Sequence, residues 1–338
     1  QLLKGGFVVN TILKEADLFC PNSVRINFTI YPIIMKIAML GSLGNINRIV
    51  VPKLVQAGHD VTVISTSPKR QASIEAVGAH AAIGTMTDVD FLSTTFTDKD
   101  VVYLMLSGGI GDDPFEGAVA QAKIWKQAIE NAGVTNVVNL SSIGADADEV
   151  AGSLHAYNLI EHELRQLDGV NLAFVRPTGF YANLFGNLAT IKAEHKIYSS
   201  TPAASAQKYV APEDIASVVY PLIDHTPAGI TVKYAFSDTF TGDQFVADLR
   251  DALNMPDLQW VQISDEQYQA NLTNHGVPVK IAASLVQTSR YQREPEGLYA
   301  DLNASDTSAG QVKLADFVRT FVVAYNSEGG YQSHTIAD

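Results

Sequence analysis

The chain has 338 residues, 46% of them hydrophobic and 17% charged, and a formal net charge of −13. That length can bury a sizeable core in one large domain or two coupled lobes. The acidic balance, with no basic stripe, excludes broad binding along a nucleic-acid backbone. A single cysteine, Cys20, excludes an intrachain disulfide and a thiolate metal cluster.

Residues 1–34 carry no sustained helical or strand period, and Gly5-Gly6, Pro21-Asn22 and Pro32 interrupt them. The apolar stretch from Phe7 is broken by Asn10 and Thr11, and no small-residue cleavage site follows, which argues against a signal peptide. Met35 is the expected natural start, with 1–34 a leader outside the fold.

From Met35 onward, short apolar strands are expected at 36–40, 61–64, 81–83, 101–106, 137–140 and 172–175. Helices are expected between them at 48–57, 70–77, 89–94, 117–131 and 154–167. This alternation predicts an α/β fold with a doubly wound parallel sheet of Rossmann type. Beyond Pro177 the spacing predicts a helix over 212–222, a strand over 230–235, and helices over 242–253, 265–275, 280–290 and 313–325. These are read as a smaller C-terminal α/β lobe over the carboxyl edge of the sheet, where ligands of such folds bind. The expected organisation is a cofactor domain over 35–180, a mixed region with a substrate lobe over 181–326, and a disordered tail over 327–338. No apolar run approaches the ~20 residues of a membrane helix.

The first strand empties into Gly41-Ser42-Leu43-Gly44-Asn45-Ile46-Asn47, and a helix follows at once. A glycine turn in that context can hold a dinucleotide pyrophosphate on backbone N–H groups. Gly41, Ser42, Leu43, Gly44, Asn45 and Ile46 are therefore candidate cofactor contacts. Asn47 occupies the third glycine position, where glycine lets the helix pack closely on the strand, and it implies a slightly wider approach. The second strand ends Ser65-Thr66-Ser67-Pro68-Lys69-Arg70, without the carboxylate that binds a ribose 2′-hydroxyl in NAD-binding folds. Ser65 and Thr66 can bond a phosphate, and Lys69 and Arg70 add positive charge. The balance favours NADP(H) over NAD(H), against the plainer reading of a solvated turn. Leu106 and Ser107 precede Gly108-Gly109, where the backbone can approach a ligand closely.

The strand end Asn139-Leu140-Ser141-Ser142 is followed by His155-Ala156-Tyr157 on a helix. Here the chain resembles the short-chain dehydrogenase/reductase superfamily, in which a serine at this strand end pairs with a Tyr-x-x-x-Lys helix. More closely it is similar to the atypical, NmrA-like branch. Met35–Asn47, Ala132-Gly133-Val134, Phe174–Asn183, Pro212–Ala216 and Asp316-Phe317 carry the resemblance, in order, over nearly all of 35–325. It implies that the Thr178-Gly179-Phe180 backbone surrounds the nicotinamide, that Ser141, Pro177, Thr178 and Gly179 are cofactor contacts, that Ser141 or Ser142 can bond a substrate carbonyl, and that Ser142 or Tyr157 polarises its oxygen. His155 is a further candidate acid or base near neutral pH. Glu161 stands where the superfamily has lysine. A nearby carboxylate raises a tyrosine pKa instead of lowering it, so for Tyr157 a packing or substrate-lining role stands level with a catalytic one. Phe180, Tyr181 and Phe185 line either an apolar cleft or the lobe interface. No metal-spaced cluster and no G-x-S-x-G elbow occurs.

The resemblance implies an NmrA-like oxidoreductase, with NADPH reducing a quinone or similar small electrophile. The expected setting is cytoplasmic, with a small-molecule substrate and neither nucleic acid nor membrane as partner. The alternative is a non-catalytic NADP(H) redox sensor that acts on a protein partner; a homo-oligomer is also open. A sugar-nucleotide epimerase is disfavoured because Tyr-x-x-x-Lys is absent.

Overall fold

A computed structural model of the chain describes residues 33–106, 113–295 and 297–327. The expectations for residues 1–32, for Ser107 and for residues 328–338 lie outside the described residues.

The first half runs β1 (Lys36–Met39), α1 (Asn47–Gln56), β2 (Asp60–Ser65), α2 (Gln71–Ala76), β3 (His80–Ile83), α3 (Val89–Phe96) and β4 (Val101–Met105). It continues with α4 (Pro114–Ala132), β5 (Asn136–Leu140), α5 (His155–Leu164), β6 (Asn171–Pro177) and the two-residue β7 (Gly179–Phe180). The second half holds α6 (Leu188–Glu194), β8 (Lys196–Ser199), β9 (Ala206–Val210), α7 (Pro212–Asp224), β10 (Ile230–Ala235) and β11 (Asp238–Thr241). Then come α8 (Gly242–Leu253), β12 (Gln259–Gln262), α9 (Asp265–Asn274), α10 (Val279–Arg293), α11 (Ala300–Ala304) and α12 (Leu314–Asn326).

The central sheet has seven strands, all parallel, in the order β10-β6-β5-β4-β1-β2-β3. Ile37 of β1 pairs with Val61 on one side and Val101 on the other. The winding reverses across β1 and β4, which opens a crevice at their carboxyl ends. Alternate residues serve opposite faces. Ile37 and Met39 pack with Val50, Leu54 and Val219 beneath α1 and α7, while Ala38 and Leu40 pack with Phe96, Trp125 and Phe174 beneath α3 to α5. Each such fully buried large side chain stabilises the fold by roughly 1.5–3 kcal/mol. The strands are apolar on both faces because both faces are covered.

Strand β10 and helix α7 come from beyond residue 180; β10 forms one edge of this sheet and α7 packs on its face. The remaining chain forms a second core, with small sheets β11-β9-β7 and β12-β8. Tyr181, Phe185, Phe240, Phe245, Phe317 and Phe321 are buried within it, and ring centroids such as Tyr181–Phe317 lie 4.7 Å apart. Helix α4 begins three residues ahead of the predicted start. Asp113 Oδ1 accepts the N–H groups of Phe115 and Glu116 at 2.9 and 3.3 Å, and Pro114 fills the first helical position.

Candidate functional site

The glycine loop lies at the switch point. Gly41 has φ +96°, and a Cβ there would run into Met105 Sδ at the end of β4. Ser42, at φ +51°, donates its N–H to Ile64 O at 3.0 Å, which ties the loop to the end of β2. Helix α1 has no side-chain cap and no acid in its first turn. The N–H groups of Arg48 and Ile49 are taken up by Gly44 O at 3.0 Å and Ile46 O at 2.9 Å, and the positive end of the helix dipole faces the loop with no carboxylate to offset it.

Asn47 turns inward to the loop. It is buried, and its Nδ2 donates to Leu40 O at 2.7 Å and Ser42 O at 2.8 Å. The larger side chain folds back to clamp the loop from inside. Ser42 Oγ and Asn47 Oδ1 are buried without a partner in the protein, and such atoms in a loop of this kind call for one.

Beside the loop, Ser65 is buried and receives the Ser67 N–H at 3.3 Å, Thr66 and Lys69 are exposed, and Arg70 is half-buried on a short turn. No carboxylate lies between Ser65 and Arg70. Leu106 is half-buried just past β4.

The ends of β5 and β6 stay laddered beyond the strands. The N–H of Ser141 donates to Val175 O at 2.8 Å, that of Ile143 to Pro177 O at 2.9 Å, and that of Thr178 to Ala235 O at 3.0 Å. Pro177 and Thr178 are buried, and Thr178 Oγ1 has no protein partner. Gly179 opens β7 and pairs with Tyr209.

Glu161 corrects one expectation. It is 2% exposed, and its carboxylate accepts from Ser141 Oγ at 2.6 Å, Arg176 Nε at 2.9 Å, Arg176 Nη2 at 2.8 Å and Arg165 Nη2 at 2.9 Å. Arg176 Nη1 also donates to the Tyr234 hydroxyl at 2.9 Å and lies 3.4 Å from Asp301 Oδ2. Burial opposes the charge on Arg176, but the hydrogen bonds and charge of Glu161 outweigh it and hold the guanidinium above its ordinary pKa. Tyr157, half-buried one turn earlier, is raised by burial alone and not by Glu161.

His155 and Tyr157 begin α5, with Ser142 half-buried at the neighbouring strand end. The His155 ring lies 5.5 Å from that of Phe115, and its Nδ1 is buried without a protein partner. Tyr181 and Phe185 are buried in the second core, and Phe180 packs against the main core. Composition and spacing gave no signal for helix α10 as a cover. Its Thr288 Oγ1 donates to Ala151 O at 2.8 Å and accepts the Ser153 N–H at 2.9 Å, just ahead of His155. Lys280 at its start pairs with Asp113. Among the described residues there is no cluster of three or more His, Cys, Asp or Glu placed for a metal. Among them, too, no helix is long and apolar enough to cross a membrane.

A family described as NAD(P)H-binding matches residues 41–226, from the glycine loop to the end of α7. The chain belongs to this NAD(P)H-binding, NmrA-like family. The solved structures it resembles include the NADPH-dependent quinone oxidoreductase QOR2 of Escherichia coli, in complex with NADPH. That match has 18% identity and a TM-score of 0.69, covering 84% of this chain and 99% of that one. Triphenylmethane reductase of Citrobacter sp. matches at 17% identity and TM-score 0.68, over 85% and 99% of the two chains. A nucleoside-diphosphate-sugar epimerase of Staphylococcus aureus matches at 15% identity and TM-score 0.68, over 84% and 100%. At these identities the likeness establishes the Rossmann-like fold.

Proposed function

We propose that the chain is an NADPH-dependent reductase of a quinone or a similar small planar electrophile. The observation that carries this reading is the end of β2. Ser65, Thr66, Lys69 and Arg70 gather beside the Gly41 loop with no carboxylate among them. That set suits a 2′-phosphate, and a carboxylate there would repel one.

In this reading Gly41 to Ile46 and the uncapped start of α1 hold the pyrophosphate. The orphaned Ser42 and Thr178 hydroxyls mark the two ends of the cofactor track. Leu106, Ser141, Pro177 and Gly179 flank its nicotinamide end. Bound NADPH supplies a hydride. The protein's part is to position the acceptor and to polarise its oxygen through Ser142 or Tyr157, with His155 at hand for proton transfer. Tyr157 has no lysine one turn on, and burial keeps its phenol protonated. A quinone suits this arrangement because its reduced form takes protons readily from solvent. The names of the quinone oxidoreductase and triphenylmethane reductase relatives support reduction of planar acceptors.

The test is NADPH against NADH affinity for the wild type and for Lys69→Ala/Arg70→Ala, followed by NADPH oxidation across quinones and aldehydes. The expected result is about a 10- to 100-fold loss for NADPH in the variant, with NADH unchanged. Equal affinity for both cofactors throughout overturns the NADPH assignment. Tight NADPH binding with no acceptor reduced overturns the reductase in favour of a redox sensor.

A further inference from the structure

We infer that Glu161 and Arg176 form a positioning device that sets where the nicotinamide end of the cofactor lies relative to Ser142. This rests on the NADPH reading above. Four donors converge on the Glu161 carboxylate, two from Arg176 and one each from Ser141 and Arg165. With its oxygens so occupied, Glu161 is not available as a base. The Arg176 guanidinium is held at its other end by Tyr234 and Asp301. A planar fork fixed at both ends has little freedom left.

What this pair anchors is backbone. Arg176 is followed by Pro177 and Thr178, and Ser141 by Ser142. The backbone ladder from Ser141 to Val175 and from Ile143 to Pro177 keeps both strand ends extended side by side. Side chains alternate along such a chain. With the Ser141 hydroxyl fixed on Glu161, Ser142 is placed on the opposite face. A buried ion pair contributes little net stability compared with well-packed apolar residues; what it supplies here is fixed geometry. The superfamily's lysine acts on a tyrosine from this helix position. In this chain the same position acts through the main chain of β5 and β6, so Glu161 is a positioning residue and not a catalytic one.

The experiment uses the full chain and compares the wild type with Glu161→Gln, Arg176→Lys and Ser141→Ala. NADPH affinity, the emission spectrum of bound NADPH, and kcat and KM with 1,4-naphthoquinone are read for each. Glu161→Gln and Arg176→Lys are expected to keep NADPH affinity within about threefold while kcat falls about 10- to 100-fold with KM little changed. The emission of bound NADPH shifts with them, because the surroundings of the ring change. Ser141→Ala removes one donor and leaves the ion pair, so it moves both readouts the same way by less, and it remains informative if Glu161→Gln does not fold. Unchanged emission and unchanged kcat per folded molecule overturn the inference. A wild type that binds NADPH but reduces no quinone rejects the reductase reading alone, and the emission comparison still decides this one. A wild type that binds no NADPH overturns both.

Discussion

Nε and Nη2, on one edge of the Arg176 guanidinium, reach the two oxygens of Glu161 at 2.9 and 2.8 Å, joining β6 to α5 across 15 positions of the chain. Removing either one leaves the other charge buried without its two-pronged partner, with only Arg165 left to Glu161, or Asp301 and Asp146 left to Arg176. Glu161→Ala and Arg176→Ala should each destabilise the fold by about 3–5 kcal/mol, read by urea unfolding. Glu161→Leu/Arg176→Met should recover part of that loss, because the double variant buries no charge at these positions. Recovery stays incomplete, since Ser141, Arg165, Tyr234 and Asp301 all lose a partner. Single variants that each cost under about 1 kcal/mol, the range of an exposed pair, would show that the pair is no anchor.

Restoring the third glycine of the loop should weaken the protein, although the sequence motif improves. Asn47→Gly deletes the two bonds to Leu40 O and Ser42 O. It leaves two carbonyls without a side-chain donor and adds backbone freedom at the start of α1. The expected loss is about 2–4 kcal/mol, measured by thermal or urea unfolding, with weaker NADPH binding because Ser42 is then held only by its N–H bond to Ile64 O. A variant as stable as the wild type would mean that Asn47 is dispensable.

The contrast between Asn47 and the strands says how far the sequence could be read. The parallel sheet was legible because strands such as β4 and β6 must be apolar on both faces when helices cover both, and that leaves a continuous run. The glycine loop was legible because positive φ at Gly41 is written in residue type. The roles of Asn47 and Glu161 were not legible, because each is set by partners brought together in space. Glu161 read as a lost lysine only until the ends of β5 and β6 were adjacent. The small strands β7, β8, β9, β11 and β12 escaped because none forms a continuous apolar run: Lys196–Ser199, Asp238–Thr241 and Gln259–Gln262 mix polar and apolar residues. The start of α4 was missed although Asp113-Pro114 is a cap signal.

Gly152 is where α10 docks on the chain ahead of α5. Its φ and ψ of +62° and −124° suit only glycine, and a Cβ there would stand 2.5 Å from Thr288 N. Gly152→Ala should destabilise by at least about 1–3 kcal/mol from backbone strain alone, and it should lift α10 off residues 150–153. Thr288→Val loses the bonds to Ala151 and Ser153 and should cost about 1–3 kcal/mol. Hydrogen exchange in 279–293 should rise in both variants, more in Gly152→Ala. Exchange left at the wild-type level in both would place the dock elsewhere.

Asp265, in the first turn of α9, gives a pH dependence with a definite sign. Arg293 Nη2 donates to both its oxygens at 2.9 and 2.8 Å, and Arg290 Nε donates to Oδ2 at 2.7 Å. Burial raises its pKa, but these two arginines outweigh that and hold it below the ordinary carboxylate value. A carboxylate with a depressed folded pKa binds its proton more weakly folded than unfolded. Its contribution is therefore complete above the unfolded value of about 3.9 and is lost as pH falls through the lower folded one. At neutral pH Asp265→Asn should cost about 1–3 kcal/mol, reduced on the side of the half-exposed Arg290 by solvent screening. The difference from the wild type should shrink as pH drops below about 4, followed by urea unfolding at a series of pH values. A difference that instead grows towards acid would mean that the carboxylate is held protonated in the fold, contrary to the geometry of its two arginines.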